Sequence, residues 1–346
     1  MGVVCGLLAA ALFGASAPIA KRLLSSFSPV LLAGILYSGA ALALWAHRVV
    51  RGTNREARLS RSDMLQLGLV VVCGGVVAPV LMLLGLKRLS SLSGALLLNL
   101  EAPLTVLVAV ALFKEHVGRY AAIAIALIFV GAVALKLEAG GMSGDPLGVL
   151  LISGACVCWA IDNNMTQRLT LKDPFALVRT KVTVAGATNL LLGLALASNH
   201  RALLGRPAML IAALLLGAAS YGVSVVLDAY ALRLLGAARE AAYFATAPFV
   251  GVIVAIVFFG EALAIYQLLA MASMAAGVWF LLRENHAHEH THDALEHDHV
   301  HVHDAHHQHV HAPGTPLTTP HSHPHVHTHL VHSHPHLPDA HHRHSH

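Results

Sequence analysis

Two groups of residues in this chain are of types that do chemistry. The first is a set of polar side chains inside long apolar runs. Asn99 and Glu101 stand in Leu98-Asn99-Leu100-Glu101-Ala102-Pro103, and Asp162 and Asn163 in Ala160-Ile161-Asp162-Asn163-Asn164. An ionisable side chain at bilayer depth costs about 2.5–3.5 kcal/mol on insertion scales, so each one calls for a compensating role. A mid-depth carboxylate such as Glu101 can bind substrate or a proton, with Asn99, Asp162 and Asn163 completing a polar patch. The second group is a C-terminal array of imidazoles, including His297, His299, His301 and His303, and His321, His323, His325, His327 and His329. Neutral imidazole binds Ni, Co, Zn and Cu, and a flexible chain can gather three or four around one ion.

Other residues can move or anchor these groups. Pro18, Pro79, Pro103 and Pro248 fall inside apolar runs, where a missing backbone donor permits a kink. Pro18, Pro103 and Pro248, with Trp159 next to the Asp162 cluster, are the hinge or gate candidates. Arg179 and Lys181 have stems long enough to snorkel to the membrane surface. Asp228 reads as interfacial, and Glu115 and Glu261 end their spans as caps or in interfacial salt bridges. His288-Glu289-His290-Thr291-His292 matches a zinc-protease pattern, but that motif needs a stable helix facing a cleft. In so histidine-rich a tract the match is fortuitous, and no nucleophile–base pair supports an enzyme.

The elements that must hold these residues are membrane spans. Of the 346 residues, 56% are hydrophobic and 12% charged, against about 25% charged in soluble domains. The hydropathy predicts an all-α membrane protein with ten transmembrane helices at roughly 2–22, 28–47, 64–86, 91–113, 118–136, 147–168, 174–197, 208–231, 237–260 and 263–283. The runs are too long and continuous for a barrel. No basic region precedes the first run, so it is expected to stay as a span rather than be cleaved. Cys5, Cys73, Cys156 and Cys158 all fall within spans and are expected to pack, not to form disulfides.

The chain also repeats itself. Phe13 to Leu23 aligns with Trp159 to Leu169 at an offset of 146, and Ala102-Pro103 aligns with Ala247-Pro248 at 145. At these offsets Thr246 is the counterpart of Glu101 and Ser16 that of Asp162. Five spans per half is an odd number, so the second half must be inverted relative to the first. Inverted repeats of this kind supply two related, alternating conformations around one central site. Arg48, Arg51, Arg55, Arg58 and Arg61 cluster after the second span and predict cytoplasmic termini.

The expected domains are residues 1–137 and 147–284 as five-helix repeats, 138–146 as linker and 285–346 as a His-rich tail. Residues 286–346 hold 24 of the 27 histidines, six prolines and few apolar residues, so a disordered segment is expected.

The motifs Leu96-Leu97-Leu98-Asn99-Leu100-Glu101-Ala102-Pro103, Phe113-Lys114-Glu115 and Ala247-Pro248 through Phe259-Gly260-Glu261 resemble the EamA-type branch of the drug/metabolite transporter superfamily. The resemblance covers about residues 1–284; Ala160 to Asn164 and Ala237-Ala238-Arg239 are similar to a bacterial subgroup. It implies an inner-membrane secondary carrier, often an exporter of amino acids or other metabolites, with no required cofactor. The tail departs from that pattern.

The expectation is therefore an exporter of small polar metabolites, with Ni, Co, Zn or Cu binding confined to a cytosolic tail. Two alternatives stay open: a divalent-metal exporter with the tail as collector, and a membrane-tethered metal buffer that does not transport. The expected partners are the lipid bilayer, a small-molecule substrate and transition-metal ions at the tail. A homodimer is allowed, and nucleic acid is excluded.

Overall fold

The computed structural model describes residues 1–51, 59–113, 118–135, 145–170, 172–196, 206–283, 286–292, 295–301, 321–327 and 330–336. Nine stretches among the described residues are long and apolar enough to cross a bilayer, and a tenth apolar helix, Arg119–Ala134, is shorter. Large apolar residues such as Leu150, Leu191, Val257 and Phe258 are exposed along the outside, as a lipid-facing belt requires.

Several spans are broken. The first comprises α1 (Gly2–Gly14) and α2 (Ser16–Leu23), the second α3 (Pro29–Arg51). The third runs through α4 (Met64–Val70), a π-helical segment at Val71–Val77 and α5 (Ala78–Arg88). The fourth has α6 (Ser91–Leu97), a 3₁₀ turn at Leu98–Leu100 and α7 (Glu101–Phe113). Then follow α8 (Arg119–Ala134), α9 (Pro146–Leu169) and α10 (Pro174–Ala195). The eighth span has α11 (Pro207–Gly217), a second π segment at Ala218–Val223 and α12 (Ser224–Leu235). The ninth is α13 (Ala237–Phe244) with α14 (Ala247–Phe259), and the tenth is α15 (Ile265–Leu282).

Prolines explain most of these breaks. A proline removes the donor to the carbonyl four residues earlier and crowds it. Counting back four from Pro18, Pro79, Pro103 and Pro248 gives Gly14, Gly75, Asn99 and Phe244. These are the end of α1, a residue of the first π segment, the centre of the 3₁₀ turn and the end of α13. After Phe244 the chain tightens: Thr246 N–H donates to Tyr243 O at 3.1 Å. No proline accounts for the second π segment, yet it lies at the repeat-related position of the first.

Packing follows an internal two-fold relation. Repeat-related spans meet directly: α3 on α10, α8 on α15, and the fourth span on the ninth, where α6 packs on α14 and α7 on α13. The remaining pairs exchange, α1 with α12 and α5 with α9. Glycine permits the closest of these contacts. A Cβ on Gly131 would sit 2.9 Å from Ala270 O, and one on its counterpart Gly277 would sit 3.0 Å from Ala124 O. Hydroxyls join α1 to the eighth span, with Ser220 Oγ donating to Leu12 O (2.7 Å) and Ser224 Oγ to Ala9 O (2.8 Å). The four cysteines are free thiols, as expected.

In the tail, where the sequence predicts an unstructured segment, four short stretches pair. β1 (His286–His292) runs antiparallel to β4 (Leu330–His336), and β2 (Leu295–His301) to β3 (His321–His327). Strict His-x-His alternation has the two-residue period of a strand. The register sets His288 opposite His334, His297 opposite His325 and His299 opposite His323. His303, His329 and Glu115 lie outside the described residues, as does most of the expected linker 138–146.

Candidate functional site

Three helix breaks converge on one narrow pocket, whose empty space together with its open mouth is about 390 Å³. The break in the first span contributes Phe13 and Gly14. The fourth span contributes Ala95, Leu98, Glu101 and Ala102, and the ninth Ala241, Phe244, Ala245, Ala247 and Pro248. Gly14 lies directly against the Ala247 carbonyl, where any side chain would overlap it. Phe13 is the aromatic hub beside the cavity, with ring centroids 5.3 Å from Phe244, 5.6 Å from Trp159 and 5.7 Å from Tyr221. The lining is apolar except for one ionisable side chain, Glu101.

Glu101 is placed by the turn before it. It is the first residue of α7, and its N–H donates to Leu98 O across the 3₁₀ turn. Its carboxylate is buried and accepts a hydrogen bond from Asn163 Nδ2 at 2.9 Å. Glu101 and Asn163, 62 residues apart and both candidates from sequence, are thus brought together.

The other candidates go elsewhere. Asn99 lies in the 3₁₀ turn and faces the tenth span, its Nδ2 3.8 Å from Met274 Sδ, with its Oδ1 unpartnered. Asp162 forms a buried ion pair with Lys181 and accepts from Thr166 Oγ1 at 3.0 Å. Lys181 therefore turns inward instead of snorkelling. Arg179 is also buried, over the Trp45 ring at 4.9 Å.

The first π segment makes room for this ion pair. A Cβ on Gly74 would overlap the Asp162 carboxylate, and one on Gly75 would press Ala185. The Gly74 carbonyl accepts from both Tyr37 OH (2.9 Å) and Trp159 Nε1 (3.2 Å). Asn189 Nδ2 donates to Gly75 O at 3.2 Å. The widened turn is thus held by side chains from three other spans, and Trp159 links it to Phe13 beside the cavity.

Pro248 lines the cavity, while Pro103 and Pro18 act on it through the breaks they cause. Glu261 accepts from Leu92 N–H at 3.2 Å, capping α6 as its position suggests. Glu240, which is not among the sequence candidates, is buried in α13 with neither carboxylate oxygen partnered. A charge in the first turn of a span reads as interfacial, so only tertiary packing shows that it is enclosed.

Known proteins match the chain in sequence and in fold. A model of the EamA-like transporter family matches residues 1–137 and 146–283. The chain belongs to the EamA-like transporter family. An uncharacterized transporter of Methanothermobacter thermautotrophicus is 31% identical over 297 residues, covering 81% of this chain and 85% of that protein. A crystal structure of a protein 17% identical shares the fold with a TM-score of 0.62, over 81% of this chain and 94% of that one. The EamA fold thus supplies two helical repeats, and the protein is a multi-pass membrane transporter.

Proposed function

We propose that this EamA-family protein is a secondary transporter that exports small polar metabolites by alternating access, with Glu101 as its substrate- or proton-binding carboxylate. The observation that carries this reading is the convergence of three broken spans on a cavity whose one ionisable lining residue is Glu101. Discontinuous helices at a repeat interface are where carriers of this build hold their substrates. Within the small polar metabolites, the apolar lining favours compounds with an amino group and a compact apolar body, such as amino acids and related amines. The amine would pair with Glu101 and the apolar part would pack on Phe13, Phe244 and Pro248. The arginines after the second span support a cytoplasmic location for both termini in a bacterial inner membrane. A homodimer is compatible with this reading, because the cavity is complete within one chain.

The test is uptake and efflux of labelled amino acids and amines by proteoliposomes under an imposed pH gradient. Wild-type protein is expected to move at least one of them, and Glu101→Gln to lose the pH-dependent component while still inserting. Equal transport by the two proteins would remove Glu101 from the mechanism.

The tail carries a second, separable reading: a cytosolic binder of Ni, Co, Zn or Cu. It is supported by a register that sets histidine opposite histidine along both strand pairs. Elemental mass spectrometry of cells expressing full-length protein, a truncation after Arg283, or Glu101→Gln tests it. A metal content that follows the tail and ignores Glu101 favours a buffer. A content lowered by the full chain but not by Glu101→Gln would instead favour metal export.

A further inference from the structure

Beyond the cavity, the buried charge that the site leaves unused is on α13. Glu240 is 1% exposed, and neither of its carboxylate oxygens meets a donor. Across the contact between α13 and α12 stands Asp228, with the two carboxyls within hydrogen-bonding reach of each other. Two carboxylates in contact form no hydrogen bond, because both only accept. Glu240 lacks the water that would stabilise its charge, and half-buried Asp228 has only part of it, so repulsion between the two is weakly screened.

Among the described residues, the surroundings supply no direct neutralising contact. Of the helices packed on α13, α1 and α15 carry no charged side chain, and Cys5 and Tyr266 are titratable groups there. From α7 the group acting on Glu240 is Glu101, another carboxylate. From α9 and α10, Asp162 and Lys181 act on Asp228, but Lys181 is already paired with Asp162. On α12, Arg233 is occupied by the Thr170 and Lys172 carbonyls, and Tyr230 stacks under that guanidinium. On α13 itself, Arg239 is exposed and Tyr243 is half-buried. Among the described residues, no group of three or more His, Cys, Asp or Glu is arranged for a metal ion.

One proton resolves the contact, turning two repelling acceptors into a single O–H···O hydrogen bond shared by the pair. We propose that Asp228 and Glu240 form a proton-binding site, separate from Glu101, that holds half-helix α13 against α12 while the proton is in place. Ala241 and Phe244 of α13, and Ala245 just after it, are cavity wall. Loss of the proton to solvent leaves two like charges in contact and pushes that wall away from α12. The site thereby ties cavity shape to proton occupancy without touching substrate.

The test is infrared spectroscopy of the purified full-length protein, following the protonated-carboxyl band from mildly acidic to mildly alkaline pH. The expected result is a band present in wild type and in Glu101→Gln, and lost by one proton equivalent in Glu240→Gln and equally in Asp228→Asn. The double variant should lose no more than either single one, since they share one proton. Unchanged bands in both single variants, or a band that disappears in Glu101→Gln alone, would overturn the proposal. So would a band abolished by sodium but not potassium chloride, which would make the occupant a metal cation. Either single variant suffices if the other does not fold, as judged by elution and melting. The readout needs no transported substrate, so its failure is distinct from failure of the transport reading.

Discussion

Glu101 combines a charge with a packing role, and Glu101→Gln separates them. The amide keeps the volume beside Asn163 but removes a charge-assisted contact worth about 1.5–3 kcal/mol. Binding of an amine substrate should therefore weaken by about tenfold or more, measured as the half-saturating concentration in proteoliposomes. Asp162 and Lys181 behave differently, because each one stabilises the other in a buried site. Asp162→Asn leaves an uncompensated ammonium and should cost about 3–5 kcal/mol. The double variant Asp162→Leu, Lys181→Met should recover most of that loss, read as the melting temperature of the detergent-purified protein. Asp145 is the surface contrast. It caps α9 and pairs with Arg88 at 2.7 Å, and the Arg88 hydrogen bond holds its carboxyl below the ordinary range. A depressed value means that its stabilisation is complete above the ordinary aspartate value, about 3.9, and is lost as pH falls through the depressed one. Arg88→Met should thus lower the melting temperature slightly at neutral pH and converge with wild type in strong acid.

At the scale of elements, the breaks and glycine contacts make their own predictions. Deleting one residue between Val71 and Val77 would restore a regular α-helix and rotate everything before it by about 100° relative to α5. The Gly74 carbonyl would leave Tyr37 and Trp159, so insertion should survive while transport is lost. Gly131→Val and Gly277→Val press the same kind of contact in the two halves. Each should destabilise by about 1–3 kcal/mol, checked by melting. These elements were unequally legible in the sequence. Hydropathy reveals the spans because lipid solvation dictates their length and apolarity, and the offset of 146 reveals the repeats because related residues recur at it. Pro18, Pro103 and Pro248 are legible as helix breaks, which the rule of counting back four residues locates. The contact of Asn99 Nδ2 with Met274 Sδ depends on the 3₁₀ turn, which the sequence does not announce. Lys181 was expected to snorkel because a sequence shows its stem length but not that Asp162 lies within reach. The π segments, Val71–Val77 and Ala218–Val223, share too little sequence to announce themselves.

For the molecule as a whole, the transport and tail readings predict separability. Truncation after Arg283 should leave the melting temperature of the span bundle and Glu101-dependent transport unchanged. Nickel or zinc binding, measured by titration calorimetry, should disappear with the tail. The two halves are similar in frame but unequal in charge: Glu101 faces Thr246 across the repeat, and Asp162 faces Ser16. Their frame also records an order of events. Both third spans carry a widened π turn at matching positions, although only one has a proline to explain it. Two independent insertions at the same place are less economical than one inherited by both halves. One bulge in an ancestral five-helix unit would account for both, in a unit that closes a carrier only by meeting an inverted copy of itself.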